Sequence, residues 1–305
     1  MPPANSPPSG CSARPDLALP LGRRAALGAI GTALLGGGLA CRPSAARAIN
    51  VAIPPIEILS SRLTQGGWAR GQASPGLQLD LDGMPVAMDR VGRFLIAFDR
   101  DAKPTATLTA SLPKGHFTSL QLTIAPRAWQ IEQIDAPLRP PSVPSEEFLR
   151  IRKDELARIA AARALVTGAQ GWSQQMIRPA PGRISGRFGA QRIYRGEPGS
   201  YHSGLDLAAA AGTPIICPAD GVVILAAAAP FTLEGKLLMV DHGMGLSSAF
   251  LHCSAHKVAL GEAVKQGQAI AEVGMTGRAT GPHLHWGLRW REARLDPLLF
   301  LPQEA

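Results

Sequence analysis

Two short segments about eighty residues apart constrain this chain more than any other feature. The first is His202-Ser203-Gly204-Leu205-Asp206 and the second is Gly281-Pro282-His283-Leu284-His285. Imidazole and carboxylate are ligands that zinc prefers, and a catalytic zinc ion has three protein ligands, leaving its fourth position to water. The segments supply three such ligands and one spare histidine, which predicts hydrolytic chemistry at a zinc ion.

The first segment must bend if His202 and Asp206 bind the same ion. In a flat strand the Cα atoms of His202 and Asp206 would lie about 13 Å apart, whereas each ligand atom sits about 2 Å from a zinc ion. Gly204 is the residue best able to adopt the backbone angles of such a bend. We therefore predict a turn at Gly204 that brings His202 and Asp206 together.

The second segment is predicted to enter a strand. From Leu284 to Trp290, large apolar residues alternate with polar or small ones, which is the period of a half-buried strand. His283 and His285 then share one face, with Cα atoms about 6.6 Å apart. One ring can coordinate the metal while the other points at whatever the metal binds.

Both segments and their surroundings resemble the lysostaphin-type, or LytM-like, zinc metallopeptidase family. The signature of that family is H-x3-D followed by H-x-H in a T-G-x-x-T-G-P-H-L-H context, which residues 276–285 match. The resemblance runs from about Arg183 to Pro297. It implies three zinc ligands: His202, Asp206 and His285.

The same resemblance implies two catalytic histidines. His283 is expected to act beside the metal, and the histidine of the family's Y-x-H-L-S type segment corresponds to His252. Phe250 replaces the usual tyrosine there and Cys253 follows the histidine, but the imidazole is kept. We assign proton transfer jointly to His252 and His283, because the ordinary pKa of histidine, about 6.5, suits that task. Which of the two is the base stays open.

The function implied by the resemblance is that of a peptidoglycan endopeptidase. A zinc-activated water would hydrolyse amide bonds in the peptide stems or cross-links, in an antiparallel two-sheet domain with an open groove for a polymer. One alternative is a non-catalytic activator of another cell-wall hydrolase, although no ligand is lost here. The other is a wall-binding scaffold with structural zinc, although such a site normally has four protein ligands.

Neither the remaining histidines nor the motifs of other enzyme classes indicate a second active site. His116, His242 and His256 stand alone in the sequence and are interpreted as structural residues. The sequence contains no H-E-x-x-H helix, G-x-S-x-G elbow, Walker loop or dinucleotide fingerprint.

Residues 1–48 are predicted to be an export signal. Arg23-Arg24 precedes an apolar run from Ala25 to Ala40, and Ala46-Arg47-Ala48 gives a cleavage site before Ile49. The arginine pair resembles the twin-arginine type of signal, and a lipoprotein anchored at Cys41 is a second alternative. We expect a periplasmic or cell-envelope protein without a transmembrane helix in its mature form.

The charge balance also depends on this segment. The sequence has 31 basic and 23 acidic residues, a net charge of +8. Residues 1–48 hold five arginines and one aspartate, so the mature chain has 26 basic and 22 acidic residues, near +4. This value suits an anionic cell wall but is too small to indicate nucleic-acid binding. Regulatory wall-hydrolase partners are left open.

The mature chain is long enough for two domains with a mainly β fold. Residues 49–136 show short alternating runs separated by turn signals, which predicts a small antiparallel β-sandwich whose last run is Trp129–Ile134. It resembles a β domain often fused to this peptidase in exported bacterial proteins, with a wall-binding, positioning or autoinhibitory role. The peptidase domain is expected over residues 171–305.

A proline-rich linker and a helix are predicted over residues 137–170. Ser145 can cap the helix, which Thr167-Gly168 would end. Four residues suggest its apolar side: Phe148, Ile151, Leu156 and Ile159. The helix either packs on one domain or acts as an arm that sets the cleft relative to the N-terminal module.

Cys217 and Cys253 are the two cysteines of the mature chain. An oxidising exterior would permit a disulfide, but the sequence gives no Cα separation. The alternative is that both are small buried hydrophobic residues.

Overall fold

The computed structural model describes residues 55–112, 115–137 and 145–302. The predicted export signal, its cleavage site before Ile49 and the alternative lipid site at Cys41 lie outside these residues. Within the described ranges, no helix combines the length and the apolarity that crossing a bilayer requires.

Eight short strands form the described chain up to residue 134. They are β1 (Glu57–Arg62), β2 (Trp68–Gln72), β3 (Gln78–Leu81), β4 (Met84–Val86), β5 (Arg93–Ala97), β6 (Thr105–Ser111), β7 (Phe117–Thr123) and β8 (Ile131–Ile134). Most coincide with the predicted alternating runs. The predicted strand at 86–88 lies two residues earlier in the structure, as β4.

Seven of these strands form two antiparallel sheets, ordered β1-β2-β5 and β4-β3-β6-β7. Strand β6 alternates buried and exposed residues, as a sheet with one face against a core requires. Phe94 and Ile96 of β5 and Leu108 of β6 are fully buried in a common apolar core. The predicted mainly β architecture is confirmed.

Strand β8 lies outside the two sheets. It pairs in parallel with a later strand, β10 (Gln191–Tyr194), from Ile131 opposite Gln191 to Ile134 opposite Tyr194. The alternating run at 129–134 predicted a strand but gave no information about its partner. The structure therefore ties the end of the N-terminal part to the segment that precedes His202.

The helix α1 spans Glu146–Arg163, four residues shorter than predicted. The Ser145 hydroxyl accepts a hydrogen bond from the backbone N–H of Phe148 at 3.1 Å, as expected of an N-cap. Ile159 and Ala162 pack against Phe231, Met239 and other residues from the C-terminal half of the chain. This contact agrees with the interpretation that the helix packs on one domain.

The predicted apolar side of this helix is only partly correct. Leu156 is half exposed, whereas Glu155 is buried. The carboxylate of Glu155 accepts hydrogen bonds from the backbone N–H and hydroxyl of Thr232, both at 2.6 Å, and from Arg152 at 3.0 Å. These bonds compensate for its burial, and hydrophobic spacing alone could not indicate them.

The remaining strands belong mostly to one large sheet. They are β9 (Arg183–Gly186), β10, β11 (Glu197–Pro198), β12 (Leu205–Ala208), β13 (Pro214–Ile216), β14 (Gly221–Ala226), β15 (Lys236–Gly243), β16 (Leu246–Cys253), β17 (Ala255–His256), β18 (Ala263–Val264), β19 (Ala269–Glu272), β20 (Leu284–Trp290) and β21 (Ala293–Leu295). The large sheet has the order β18-β14-β15-β16-β20-β12-β9, with β21 beside β20, and a smaller sheet has the order β13-β19-β17. Two short 3₁₀ helices span Gly171–Ser173 and Pro297–Phe300.

The large sheet has one face in the core and one face toward a groove. Along β20, Trp286, Leu288 and Trp290 are buried, whereas His285 and Arg289 are only partly covered. The alternation matches the sequence prediction for residues 284–290. Cys217 and Cys253 are buried free thiols, and burial raises the pKa of each to about 12.

His242 is a structural residue of this core. Its Nδ1 lies 2.9 Å from the Asp220 carbonyl and its Nε2 lies 2.8 Å from the Ser248 hydroxyl, which also accepts from Trp286 Nε1 at 3.1 Å. The network assigns a neutral ring that donates from Nδ1 and accepts at Nε2. Burial lowers the pKa of His242.

We predict that His242 stays neutral in the folded protein well below pH 6.5. Because its folded pKa is lower than its unfolded value, this residue's contribution to stability is complete above about pH 6.5 and declines as the pH falls below it. Two-dimensional NMR of the imidazole nitrogens, titrated from pH 8 to 5, measures this directly. Titration of His242 at or above about pH 6.5 would contradict the assignment.

Candidate metal centre and active site

Three side chains converge at one point on the groove face of the large sheet: His202, Asp206 and His285. Asp206 Oδ1 lies 3.0 Å from His202 Nε2 and 2.8 Å from His285 Nδ1. The two ring nitrogens are 3.1 Å apart. The sequence predicted these three residues as a set, and the structure brings them together.

Strand pairing positions two of the three residues. Asp206 in β12 lies directly opposite His285 in the antiparallel β20, and paired residues of such a ladder point to the same face. His202 comes from the irregular segment before β12. Its backbone is held on both sides, because its N–H donates to the Ala190 carbonyl and its carbonyl accepts from Gly189, each at 2.8 Å.

The predicted bend at Gly204 is present, but close packing explains it better than unusual backbone angles. Gly204 is a bend residue without a positive φ. A Cβ atom there would lie 2.6 Å from both His285 Nε2 and the Trp286 carbonyl oxygen. At Gly186, on the neighbouring strand β9, a Cβ would lie 2.4 Å from Asp206 Oδ2. Only glycine leaves room for the ligand side chains at these positions.

The arrangement fits a tetrahedral metal ion. In a tetrahedral zinc site the ligand atoms lie about 2 Å from the ion and about 3.3 Å from one another. The separations of 2.8–3.1 Å found here are close to that value. His202 Nδ1 donates to the Arg187 carbonyl at 3.0 Å, so the neutral ring would offer its Nε2 lone pair to a metal ion. Metal-bound histidines commonly make such a second hydrogen bond.

The surroundings of Asp206 also keep its carboxylate ionised, which is the form that binds a metal ion. Burial disfavours the charged form of Asp206, but the hydrogen bonds from His202 and His285 outweigh it and hold its pKa well below the usual range. Burial also disfavours a charged His202, yet its bond with Asp206 raises the pKa of that ring. For His285 burial prevails and the pKa is lowered. Asp206 is therefore ionised and His285 neutral at neutral pH.

His252 and His283 lie next to this cluster. Their ring centroids are 4.9 Å apart, and the His252 ring is 6.4 Å from that of His285. His252 Nδ1 donates to the Thr276 carbonyl and His283 Nδ1 donates to the Gly281 carbonyl, each at 2.8 Å. In the neutral tautomer that donates from Nδ1, each ring presents a free Nε2, the form a general base requires.

The backbone at His252 is strained. Its φ is +63°, a region that residues with a side chain seldom adopt and that is often found at functional sites. The Glu234 carbonyl accepts from its N–H at 2.9 Å and helps to hold this conformation. Burial lowers the pKa of the ring, with the positive charge of a protonated His283 acting in the same direction.

Arg100 is a site-supporting residue that sequence reasoning missed. It is 7% exposed, and its Nη2 donates to the Gly189 carbonyl at 3.2 Å and to the Gln191 side chain at 2.9 Å. Its guanidinium also lies over the rings of Trp129 and Tyr201, 5.1 and 4.6 Å from their centroids. Arg100 thus braces the segment that carries His202, although no motif marks it in the sequence.

Comparison with known proteins identifies a family and several similar relatives. The model of Peptidase family M23 matches residues 200–297. The peptidoglycan DD-endopeptidase ShyA of Vibrio cholerae is 38% identical over 110 residues, which is 35% of this chain and 24% of that protein. The DD-carboxypeptidase/endopeptidase Mpg of Neisseria meningitidis is 38% identical over 126 residues, 38% of this chain and 26% of that protein.

A solved structure extends the similarity beyond the metal site. A crystal structure from Pseudomonas aeruginosa whose description names peptidase M23 is 30% identical, with a TM-score of 0.61 over 79% of this chain and 95% of that chain. The curated relatives are longer proteins, and the chain spans about a quarter of the length of those it matches.

We predict that Gly204→Ala weakens the binding of a divalent metal ion about 10- to 100-fold while the protein stays folded, because the new methyl group displaces the His285 ring. Competition with a chromophoric chelator measures the affinity and circular dichroism checks the fold. Gly281→Ala is the matched control, since a Cβ at that position meets open space. Equal affinities for the two variants would show that close packing at Gly204 does not set the site.

Proposed function

The chain belongs to peptidase family M23, and we propose that it is a zinc-dependent endopeptidase that hydrolyses amide bonds in the peptide stems or cross-links of peptidoglycan. The convergence of His202, Asp206 and His285 beside the imidazole rings of His252 and His283 carries this proposal. The names of the curated relatives support the substrate class. The predicted export signal agrees with a cell-envelope location.

His202, Asp206 and His285 would hold the ion through one atom each. When bound, zinc polarises the scissile carbonyl and lowers the pKa of a coordinated water toward about 7. Two nitrogen ligands and one oxygen ligand suit this ion, and three protein ligands keep the site catalytic rather than structural.

His252 and His283 handle the proton in this proposal. A neutral Nε2 accepts the proton of the attacking water and later donates it to the amine that leaves when the amide C–N bond breaks. The backbone carbonyls of Thr276 and Gly281 hold the two rings in the tautomer that exposes Nε2. Both histidines share these transfers, because both present the same atom next to the ligand cluster.

We predict that Asp206→Ala and His285→Ala each abolish both metal binding and cutting. Removing either side chain leaves two ligand residues, too few for a stable catalytic site. Metal content by atomic emission and digestion of purified peptidoglycan, with the fragments identified by mass spectrometry, test this. The exposed His116→Ala is the matched control. Cutting by a metal-free Asp206→Ala protein would refute the mechanism.

We predict that His252→Ala keeps the metal but loses about 100-fold or more in rate, because it removes a proton-transfer group and no ligand. The same two measurements apply. A non-catalytic activator would bind a partner without cutting, and a scaffold would hold zinc without cutting. Wild-type protein that contains zinc and releases no fragments would therefore overturn the proposed activity.

A further inference from the structure

A cavity of about 200 Å³ lies beside the metal cluster, between the helix α1 and the groove face of the large sheet. His285 and Ser203 line one part of it. Leu156 and Arg163 line it from the helix, and Arg289 lines it from β20. The cavity therefore continues the metal site along the sheet and is bounded on one side by the helix.

The floor of this cavity is a trough. His285, Gly287 and Arg289 follow one another on the groove face of β20. Gly287 lies opposite Ala249 of β16, so small residues occupy the middle of the floor. The Cα atoms of His285 and Arg289 are four strand positions apart, about 13 Å. An extended peptide advances at most about 3.3–3.6 Å per residue, so three to four residues span this distance.

The far end of the trough is positively charged. Arg163, Arg289 and Arg294 line it from three different elements. A fourth arginine, Arg152, is neutralised by Glu234 through two hydrogen bonds of 2.6 and 2.7 Å. These contacts leave the other three guanidiniums as the main source of charge.

Arg163 and Arg294 are exposed, and Arg289, the most covered of the three, pairs with an acid at the surface. Glu292 lies 2.8 Å from Arg289 Nη2, but its side chain is 96% exposed, whereas that of Arg289 is 18% exposed. Arg289 Nε is buried without a hydrogen-bond partner among the described residues. A surface ion pair of this kind contributes little and can be exchanged for another anion.

The surroundings of Arg163 also indicate an electropositive site. Arg163 is an exposed residue, yet partial burial of its guanidinium and the positive charges of Arg289 and Arg294 outweigh the attraction of Glu292 and Glu234 and lower its pKa to about 10. The group stays charged at neutral pH. Three like charges held together favour the binding of an anion between them.

We propose that this trough is a subsite for a carboxylate of the substrate peptide, three to four residues from the bond that is cut. The inference rests on the proposed function, which supplies a peptide in the groove. Arg289 and Arg163 would bind the carboxylate through charge-assisted hydrogen bonds, and Gly287 and Ala249 would let the peptide backbone pass between them and the metal site.

Binding by the full chain tests the proposal. The probes are soluble disaccharide-peptide fragments of purified peptidoglycan, and the same fragments with their carboxylates converted to carboxamides. We expect amidation to weaken binding to the protein about tenfold or more by calorimetry. In Arg289→Gln and in Arg163→Gln, binding of the native fragments should fall by a similar factor, while binding of the amidated fragments should change less than about twofold. The use of a His252→Ala background keeps the probes intact.

Arg150→Gln is the matched control. It lies on the same helix outside the trough, in an exposed pair with Glu147, and should bind both probes like the parent protein. Melting temperatures establish that each variant is folded. If Arg289→Gln does not fold, Arg163→Gln still tests the subsite. Equal binding of native and amidated fragments, or equal losses in Arg150→Gln and Arg163→Gln, would overturn the subsite. If the protein binds both probes equally but cuts peptidoglycan, the subsite is wrong and the proposed activity stands. If it prefers the native fragments but wild-type protein never cuts, the subsite stands and the proposed activity is wrong.

Discussion

The site depends on the register of one ladder, in which Asp206 of β12 lies opposite His285 of β20. Because paired residues share a face, the carboxylate reaches His285 Nδ1 at 2.8 Å and His202 completes the cluster from a loop. A slip of one residue in either strand would turn that strand's ligand into the core. Gly204 and Gly186 support the same register by leaving space that a methyl group would fill.

The two faces of the large sheet have separate roles, and one sequence period produces both. Trp286 and Leu288 pack into the core and fix β20 in place, while Gly287 and Arg289 lie on the opposite face and shape the groove. The helix α1 covers another part of that face through Ile159. A tightly packed core thus sets the positions of residues that must bind a ligand, so the site needs little reorganisation.

The N-terminal strands contribute to the site through contacts far apart in the chain. Arg100 binds the Gly189 carbonyl, and β8 pairs with β10 just before His202. Arg127 forms a 2.7 Å pair with the buried Asp296 near the end of the chain. Of the roles considered for this module, these contacts favour positioning of the ligand-bearing segment.

The sequence by itself determined the features that depend on neighbours in the chain. These were the strand at 284–290, the Ser145 cap, the bend at Gly204 and the candidate ligands, because alternation, capping and motif spacing are local signals. Only the tertiary structure decided the parallel partner of β8, the burial of Glu155, the brace at Arg100 and the charged end of the trough at Arg289. Each depends on side chains that meet across long stretches of sequence, and the packing that joins them leaves no periodic or spaced pattern to read.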